Sequence, residues 1–256
     1  MSLPPGLALY RAASGALAPL AHLWLAARAR RGKEERARLG ERFGRSKAAR
    51  PEGRLVWLHG ASVGEMGVLL QVREGLAARD PALSFLVTTG TRASAELFAR
   101  RAPARTRHVY APLDTPRAAR RFLAHWRPDL GVFVESELWP NLIMAARAQG
   151  VRLALTNARM SPEPLARWRR LPRSAAHMLG GFSLLLAADA ATAAGLSALS
   201  GEPVRAVGNL KLAAPAPPVD QGALAAFKAA IGARPLWLAA STHAGEDEIV
   251  LAAHAR

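Results

Sequence analysis

Cysteine is absent from the 256 residues. That excludes disulfides, thiolate metal sites and a cysteine nucleophile. Aromatic residues make up only 6% of the chain. No aromatic–basic repeat of the kind that stacks single-stranded nucleic acid is present, so a nucleic-acid partner is not expected. His59, His108, His125 and His243 show no ligand spacing such as HExxH, so no metal is expected; no cofactor is expected either. Acids are scarce, 19 against 35 Lys and Arg, for a formal net charge of +16, and only four of the bases are lysine (Lys33, Lys47, Lys211, Lys228). What remains is a globular balance: 50% hydrophobic and 21% charged, long enough for one large domain or two small ones.

The charge is unevenly spread. Residues 1–50 hold eleven Lys/Arg and three Glu, half of the net charge. A localised positive field implies an anionic partner. The same region is apolar at Leu3, Leu7, Leu9, Leu17, Leu20, Leu23, Trp24 and Leu25. Its uncharged stretch, Ala12–Ala27, is 16 residues, short of the roughly 20 that a spanning helix needs. A cleaved signal peptide carries its positive charge before the apolar run, whereas here Arg28, Arg30, Arg31 and Lys33 follow it. A core helix is one reading. The expectation adopted is a membrane-anchor helix with a basic arm over residues 1–50, bound to anionic lipid. Were it to span, the basic residues would place the rest of the chain in the cytoplasm.

From residue 54 short apolar runs alternate with amphipathic stretches. The strands expected are Leu55–Leu58, Phe85–Thr88, His108–Tyr110, Leu130–Val134, Leu153–Leu155, Leu184–Ala187 and Val204–Val207. Between them, helices are expected over Met66–Ala78, Ala93–Arg101, Pro116–Trp126 and Leu138–Gln149. This alternation predicts an α/β fold with a parallel sheet covered on both faces. The Pro-rich Ala213–Val219 reads as a linker. Beyond it a helix (Gln221–Ile231), a strand (Leu236–Ala239) and a loop begin a second α/β unit that one strand cannot complete, so the chain reads as a truncated frame.

Four segments can carry chemistry. HGASVGE (His59–Glu65) follows the first strand and opens a helix, the place where parallel sheets bind ligands. Ser62 and Gly64 in that turn are candidate substrate contacts. Glu65 is either a catalytic carboxylate or an ordinary acid favoured at a helix start. ESELWPN (Glu135–Asn141) puts Glu135 at the carboxyl end of a buried strand. Extended geometry would point Glu135 and Glu137 the same way, and Glu137 is alternatively a helix cap. GNLK (Gly208–Lys211) places one of the few lysines just before the linker. STHAGEDE (Ser241–Glu248) is another strand-to-helix turn, where Ser241 or Thr242 can cap the helix and His243 can face a cleft.

These segments, in their order, resemble the Kdo transferase family (3-deoxy-D-manno-octulosonic acid transferase). The resemblance runs over the whole chain. It includes RLGERFG (Arg38–Gly44), VTTGT (Val87–Thr91), HVYAPLD (His108–Asp114), TNARMS (Thr156–Ser161) and AASTHAGE (Ala239–Glu246). It implies a two-domain GT-B glycosyltransferase at the cytoplasmic face of the inner membrane. Such an enzyme moves Kdo from CMP-Kdo to a phosphorylated lipid A precursor, with inversion and without a metal. On that resemblance Glu65 matches the catalytic base, and Glu135 and Lys211 match groups that stabilise the transition state. The family's CMP-binding segments correspond to positions beyond Arg256. Arg159, with Arg167, Arg169, Arg170 and Arg173 after it, is a candidate grip on acceptor phosphate. Ser241, Thr242 and His243 are candidate substrate contacts.

The expected division is therefore an anchor and basic arm (1–50), a Rossmann-like acceptor domain (51–212), a linker (213–219) and the start of a donor domain (220–256). Two other functions stay open. One is a GT-B transferase for another nucleotide sugar. The other is a non-catalytic, membrane-bound lipid A-binding chain.

Overall fold

The computed structural model describes residues 2–101, 103–213 and 219–255. The chain divides into two compact units, residues 1–214 and 215–256.

In the first unit two helices, α1 (Pro5–Leu17) and α2 (Leu20–Arg30), precede a short helix, α3 (Leu39–Arg42). Then strands and helices alternate: β1 (Leu55–His59), α4 (Val63–Arg79), β2 (Ser84–Thr89), α5 (Arg92–Arg101), β3 (Thr106–Tyr110), α6 (Pro116–Trp126), β4 (Leu130–Val134) and α7 (Pro140–Ala148). β5 (Arg152–Ala158), α8 (Pro162–Arg169), α9 (Pro172–Leu179), β6 (Leu184–Ala187), α10 (Ala190–Ser200) and β7 (Arg205–Ala206) complete it. The seven strands form one sheet in the order β3-β2-β1-β4-β5-β6-β7, every pair parallel. This is the doubly wound, Rossmann-like α/β fold expected. The order reverses between β1 and β4, and that switch point decides where a ligand can sit.

Side-chain alternation along the strands explains the two covered faces. Leu55 and Trp57 of β1 join Phe133, Leu153 and Leu155 in a core sealed by α6, α7, α9 and α10. Val56 and Leu58 join Phe85, Val87, Val132 and Val134 in a second core under α4. Strands buried on both faces need near-continuous apolar runs, and these have them. Helix starts are written locally. Thr115 caps α6 and Asp189 caps α10 through their side-chain oxygens, and proline occupies the first turn of α1, α6, α7, α8 and α9.

The N-terminal apolar segment forms two helices rather than one. The chain bends at Ala18–Pro19, where proline cannot donate to the preceding turn. α1 packs against α6, α7 and α9. Leu7 and Leu25 are buried, while Leu9, Leu17, Leu20, Leu23 and Trp24 are exposed. Among the described residues no helix is long and apolar enough to cross a membrane.

In the second unit, α11 (Gln221–Ile231) and α12 (Glu246–His254) form. The strand expected at Leu236–Ala239 does not: these residues pair with no neighbour and Leu236, Trp237 and Leu238 are exposed. A strand needs an adjacent backbone edge, and residues 219–255 supply none. Ser241 and Thr242 do not cap α12. Its N-cap is Gly245, whose φ of 92° suits glycine. The His243 backbone N–H instead donates to the Glu246 side chain at 2.8 Å. Residues 214–218, most of the expected linker, lie outside the described residues.

Candidate active site

The site is built at the switch point, from the loops that leave β1 and β4. β1 ends at His59, and the chain turns through Gly60 and Ala61 into α4. Ser62 and Glu65 close the helix start reciprocally. The Ser62 hydroxyl donates to Glu65 Oε1 at 2.6 Å and accepts from the Glu65 backbone N–H at 3.4 Å. The Ala61 N–H donates to Glu65 Oε2 at 2.7 Å. This is a variant of the capping box in which the acid reaches the N–H one residue before the N-cap. It holds the Glu65 carboxylate, 8% exposed, in one orientation at the carboxyl end of the sheet. Each of its oxygens accepts one donor and has a second lone pair to offer. Gly60 leaves room there: a Cβ would lie 3.1 Å from Glu65 Oε2 and from Val134, so a larger residue would press on the carboxylate.

β4 ends at Val134, and the next residue, Glu135, adopts φ of 56°. This corrects the extended geometry expected for the Glu135–Glu137 pair: the chain turns at once. Glu135 still faces inward. Its Oε1 lies 2.6 Å from Lys211 Nζ. Lys211 Nζ in turn sits 3.8 Å from where a Gly64 Cβ would be. The ion pair thus stands over the loop that carries Glu65. Lys211 reaches this point from the turn after β7, a 3-10 segment over Leu210–Ala213 that packs on α4.

Asn157 fixes that meeting. It is fully buried at the end of β5 with φ of 51°. Its Oδ1 accepts the Leu210 N–H at 2.9 Å, and its Nδ2 donates to Glu135 Oε1 at 3.4 Å. One amide thereby aligns the lysine loop with its carboxylate. The sequence signal for this role is small: an asparagine, a residue tolerant of positive φ, at a strand end inside TNARMS.

A second buried chain backs the site. Trp57 Nε1 donates to Thr88 Oγ1 at 2.8 Å, and Thr88 Oγ1 lies 2.8 Å from His59 Nδ1. Thr88 Oγ1 also lies 3.4 Å from the Leu58 carbonyl oxygen, so its proton has two acceptors to choose between, that carbonyl and His59 Nδ1. Among the described residues His59 Nε2 has no hydrogen-bond partner, and it lies 3.9 Å from Glu137 Oε2. Burial pushes the His59 imidazole down to about 3, so it is neutral. Glu137 accepts from Trp139 Nε1 at 2.6 Å. It is pushed up to about 7, first by burial and then by the Glu65 and Glu135 carboxylates, against the Trp139 bond. Three carboxylates and one lysine therefore share this end of the sheet.

The raised Glu137 has a testable sign. Between its ordinary 4.5 and about 7 the folded state holds a proton that the unfolded chain has lost. Its contribution makes stability fall as pH rises through that window. His59 acts the other way, since its depressed pKa makes stability rise from about 3 to 6.5. The difference between wild type and Glu137→Gln isolates the carboxylate. The variant should gain melting temperature relative to wild type above neutral pH and little near pH 4.5, as scanning calorimetry across pH would show.

The structure brings Glu65, Ser62, Gly64, Glu135 and Lys211 together. Arg159 is exposed just past β5, and among the described residues its side chain makes no hydrogen bond or ion pair. Arg167 pairs with Glu163, while Arg169, Arg170 and Arg173 are exposed on α8 and α9. Ser241, Thr242 and His243 belong to the second unit and are exposed. Among the described residues no cluster of acids and histidines could hold a metal ion.

Fold and cluster define a Rossmann-type α/β domain with three carboxylates and a lysine gathered at the sheet's switch point. Residues 37–214 match the family model described as 3-Deoxy-D-manno-octulosonic-acid transferase (kdotransferase), and the chain belongs to that family. It is 36% identical to a probable mitochondrial 3-deoxy-D-manno-octulosonic acid transferase of Arabidopsis thaliana, over 96% of this chain and 57% of that protein. It is 35% identical to the 3-deoxy-D-manno-octulosonic acid transferase of Bordetella pertussis, over 97% and 59%. Identity to the Haemophilus influenzae transferase is 31%, over 86% and 52%. The chain spans about half the length of the curated relatives it matches. A solved plant glycosyltransferase, Phytolacca americana UGT2, aligns at 15% identity and a TM-score of 0.34 over 47% of this chain and 34% of that one, too loosely to bear on the fold.

Proposed function

We propose that this chain supplies the acceptor half of an inverting GT-B Kdo transferase, which moves Kdo from CMP-Kdo to a phosphorylated lipid A precursor in lipopolysaccharide assembly. The observation that carries the reading is the Glu65–Glu135–Lys211 cluster at the switch point of a chain that belongs to the Kdo transferase family. In the reaction the acceptor hydroxyl oxygen forms the new bond to the anomeric carbon. Its proton passes to Glu65, already held by Ser62 and Ala61. The anomeric carbon–oxygen bond to the CMP phosphate breaks, and CMP leaves with the electron pair. A fixed carboxylate suits the first task because a sugar hydroxyl is a weak nucleophile. A cation beside the site offsets charge that develops on the departing phosphate, and Lys211 is placed for this by Glu135 and Asn157. None of these steps calls on a metal.

Membrane association at the cytoplasmic face belongs to the same reading. Exposed Leu9, Leu17, Leu20, Leu23 and Trp24 on two short helices fit a segment lying in the lipid interface rather than crossing it.

The test is Kdo transfer from CMP-Kdo to a tetra-acylated lipid A precursor, by this chain and by a version extended to its relatives' length. The extended protein should transfer Kdo and the 256-residue chain should not. Transfer of a different sugar, or none from a folded extended protein, would reject the assignment.

A further inference from the structure

A cavity of about 620 Å³ lies away from Glu65, between the α1–α2 bend and the first turns of α6. Its walls are basic. Arg45, Arg117, Arg120 and Arg121 line it, all are exposed, and among the described residues none of the four forms an ion pair or a side-chain hydrogen bond. His22 stacks on Phe43 along one side, ring centroids 3.9 Å apart and nearly parallel. No carboxylate lines it. The nearest in sequence, Asp114, is turned away and held by Tyr10, the Leu142 N–H and the Asn141 N–H. Four uncompensated guanidinium groups around one cavity repel one another, and an anion removes that cost. Exposed Leu17 and Leu20 adjoin in sequence the Ala18 and Pro19 that line the cavity.

We propose that this cavity seats the phosphate of an anionic bilayer lipid, with the lipid's acyl chains against Leu17 and Leu20 beside the α1–α2 bend. The inference rests on the membrane-surface reading above and adds a defined headgroup site to it. Charge complementarity commits it to phosphate: guanidinium binds phosphate oxygens through paired N–H donors. The exposed Leu17 and Leu20 on either side of the lining Ala18 and Pro19 commit it to a lipid rather than a soluble ester. The positive field then belongs chiefly to α6 and Arg45, not to the Arg28–Lys33 arm that follows α2.

Co-sedimentation of the 256-residue chain with phosphatidylcholine vesicles, with and without phosphatidic acid, tests this. Wild type should bind the phosphatidic acid vesicles and largely ignore the neutral ones. At about 1 kcal/mol per basic residue near an anionic surface, R117A/R120A/R121A should lower partitioning roughly 100-fold. A control with the same charge change at the other end of the sheet, R79A/R100A/R101A at the C-terminal turns of α4 and α5, should lower it far less. Equal losses would mean bulk charge and overturn the pocket while leaving the membrane reading in place. Absence of wild-type binding would reject both. Should the triple variant lose its native circular dichroism, phenylglyoxal labelling of wild type decides the matter. Phosphatidic acid vesicles should protect Arg117, Arg120 and Arg121 but not Arg100 and Arg101, and no selective protection would overturn the proposal.

Discussion

Glu65→Gln is expected to lower sugar transfer by roughly 10²–10⁴ in a protein extended to its relatives' length, because that is the usual worth of a positioned general base. Fold and melting temperature should hardly change. The amide oxygen of glutamine can still accept the Ala61 N–H, and the Ser62 hydroxyl still accepts the backbone N–H of residue 65. What glutamine cannot do is take the proton of the acceptor hydroxyl. Ser62→Ala separates the two roles of the capping box. It removes the cap, at a cost of about 1 kcal/mol in stability, and leaves the carboxylate its proton-accepting capacity. If Glu65 serves only as a cap, the pattern reverses: turnover survives Glu65→Gln, and both variants differ from wild type in stability alone. Kinetics on the two variants beside their calorimetry distinguishes these outcomes.

The sheet was legible in the sequence because its strands are buried on both faces. Each therefore appears as an uninterrupted apolar run bounded by helix starts, and β4 spans Leu130–Val134 as expected. The cluster at the switch point was legible for a related reason. Residues directly after such strands, Glu135 and the His59–Glu65 turn, have one place to go, the carboxyl edge. What could not be read locally depends on long-range approach. Lys211 meets Glu135 across 76 positions of chain (211 − 135), and only the strand order of the whole sheet brings them together. Asn157 joins the same two loops through a side chain whose importance lies in a positive φ and two partners far away in sequence. The strand expected at Leu236–Ala239 failed for a different reason. Apolar pattern gives a strand its faces, but its hydrogen bonds come from neighbours, and residues 219–255 provide none.

Glu34→Ala is expected to destabilise the first unit by about 3–5 kcal/mol, the cost of leaving a buried charge without its partner. Glu34 is 4% exposed and Arg42 is 5% exposed. Glu34 Oε2 accepts from Arg42 Nε at 3.0 Å, and its Oε1 accepts from Arg28 Nε at 2.9 Å. Arg42 Nη2 lies 2.9 Å from Glu34 Oε2, and Nη1 and Nη2 also donate to backbone carbonyls, Ala111 at 3.1 Å and Gly90 at 2.7 Å. The carbonyl bonds orient the guanidinium but do not neutralise it. The neighbouring glycine tightens the constraint. A Cβ on Gly44 would fall 2.2 Å from the Ala118 carbonyl oxygen, so glycine is what lets this segment lie directly against α6. The network also reaches the site. The Gly90 N–H donates to the Ala61 carbonyl at 3.0 Å, and the Ala61 N–H holds Glu65. Loosening Arg42 therefore loosens the loop that carries the proposed base, and transfer should fall along with stability. Glu34→Gln keeps acceptor and shape and should lose less than Glu34→Ala. Replacing both partners by methionine removes the stranded charge and should cost less than Glu34→Ala as well. Urea titration of the three variants gives that ordering directly. A Glu34→Ala midpoint indistinguishable from wild type would mean that water reaches Arg42 and that the pair does not hold this segment to the sheet.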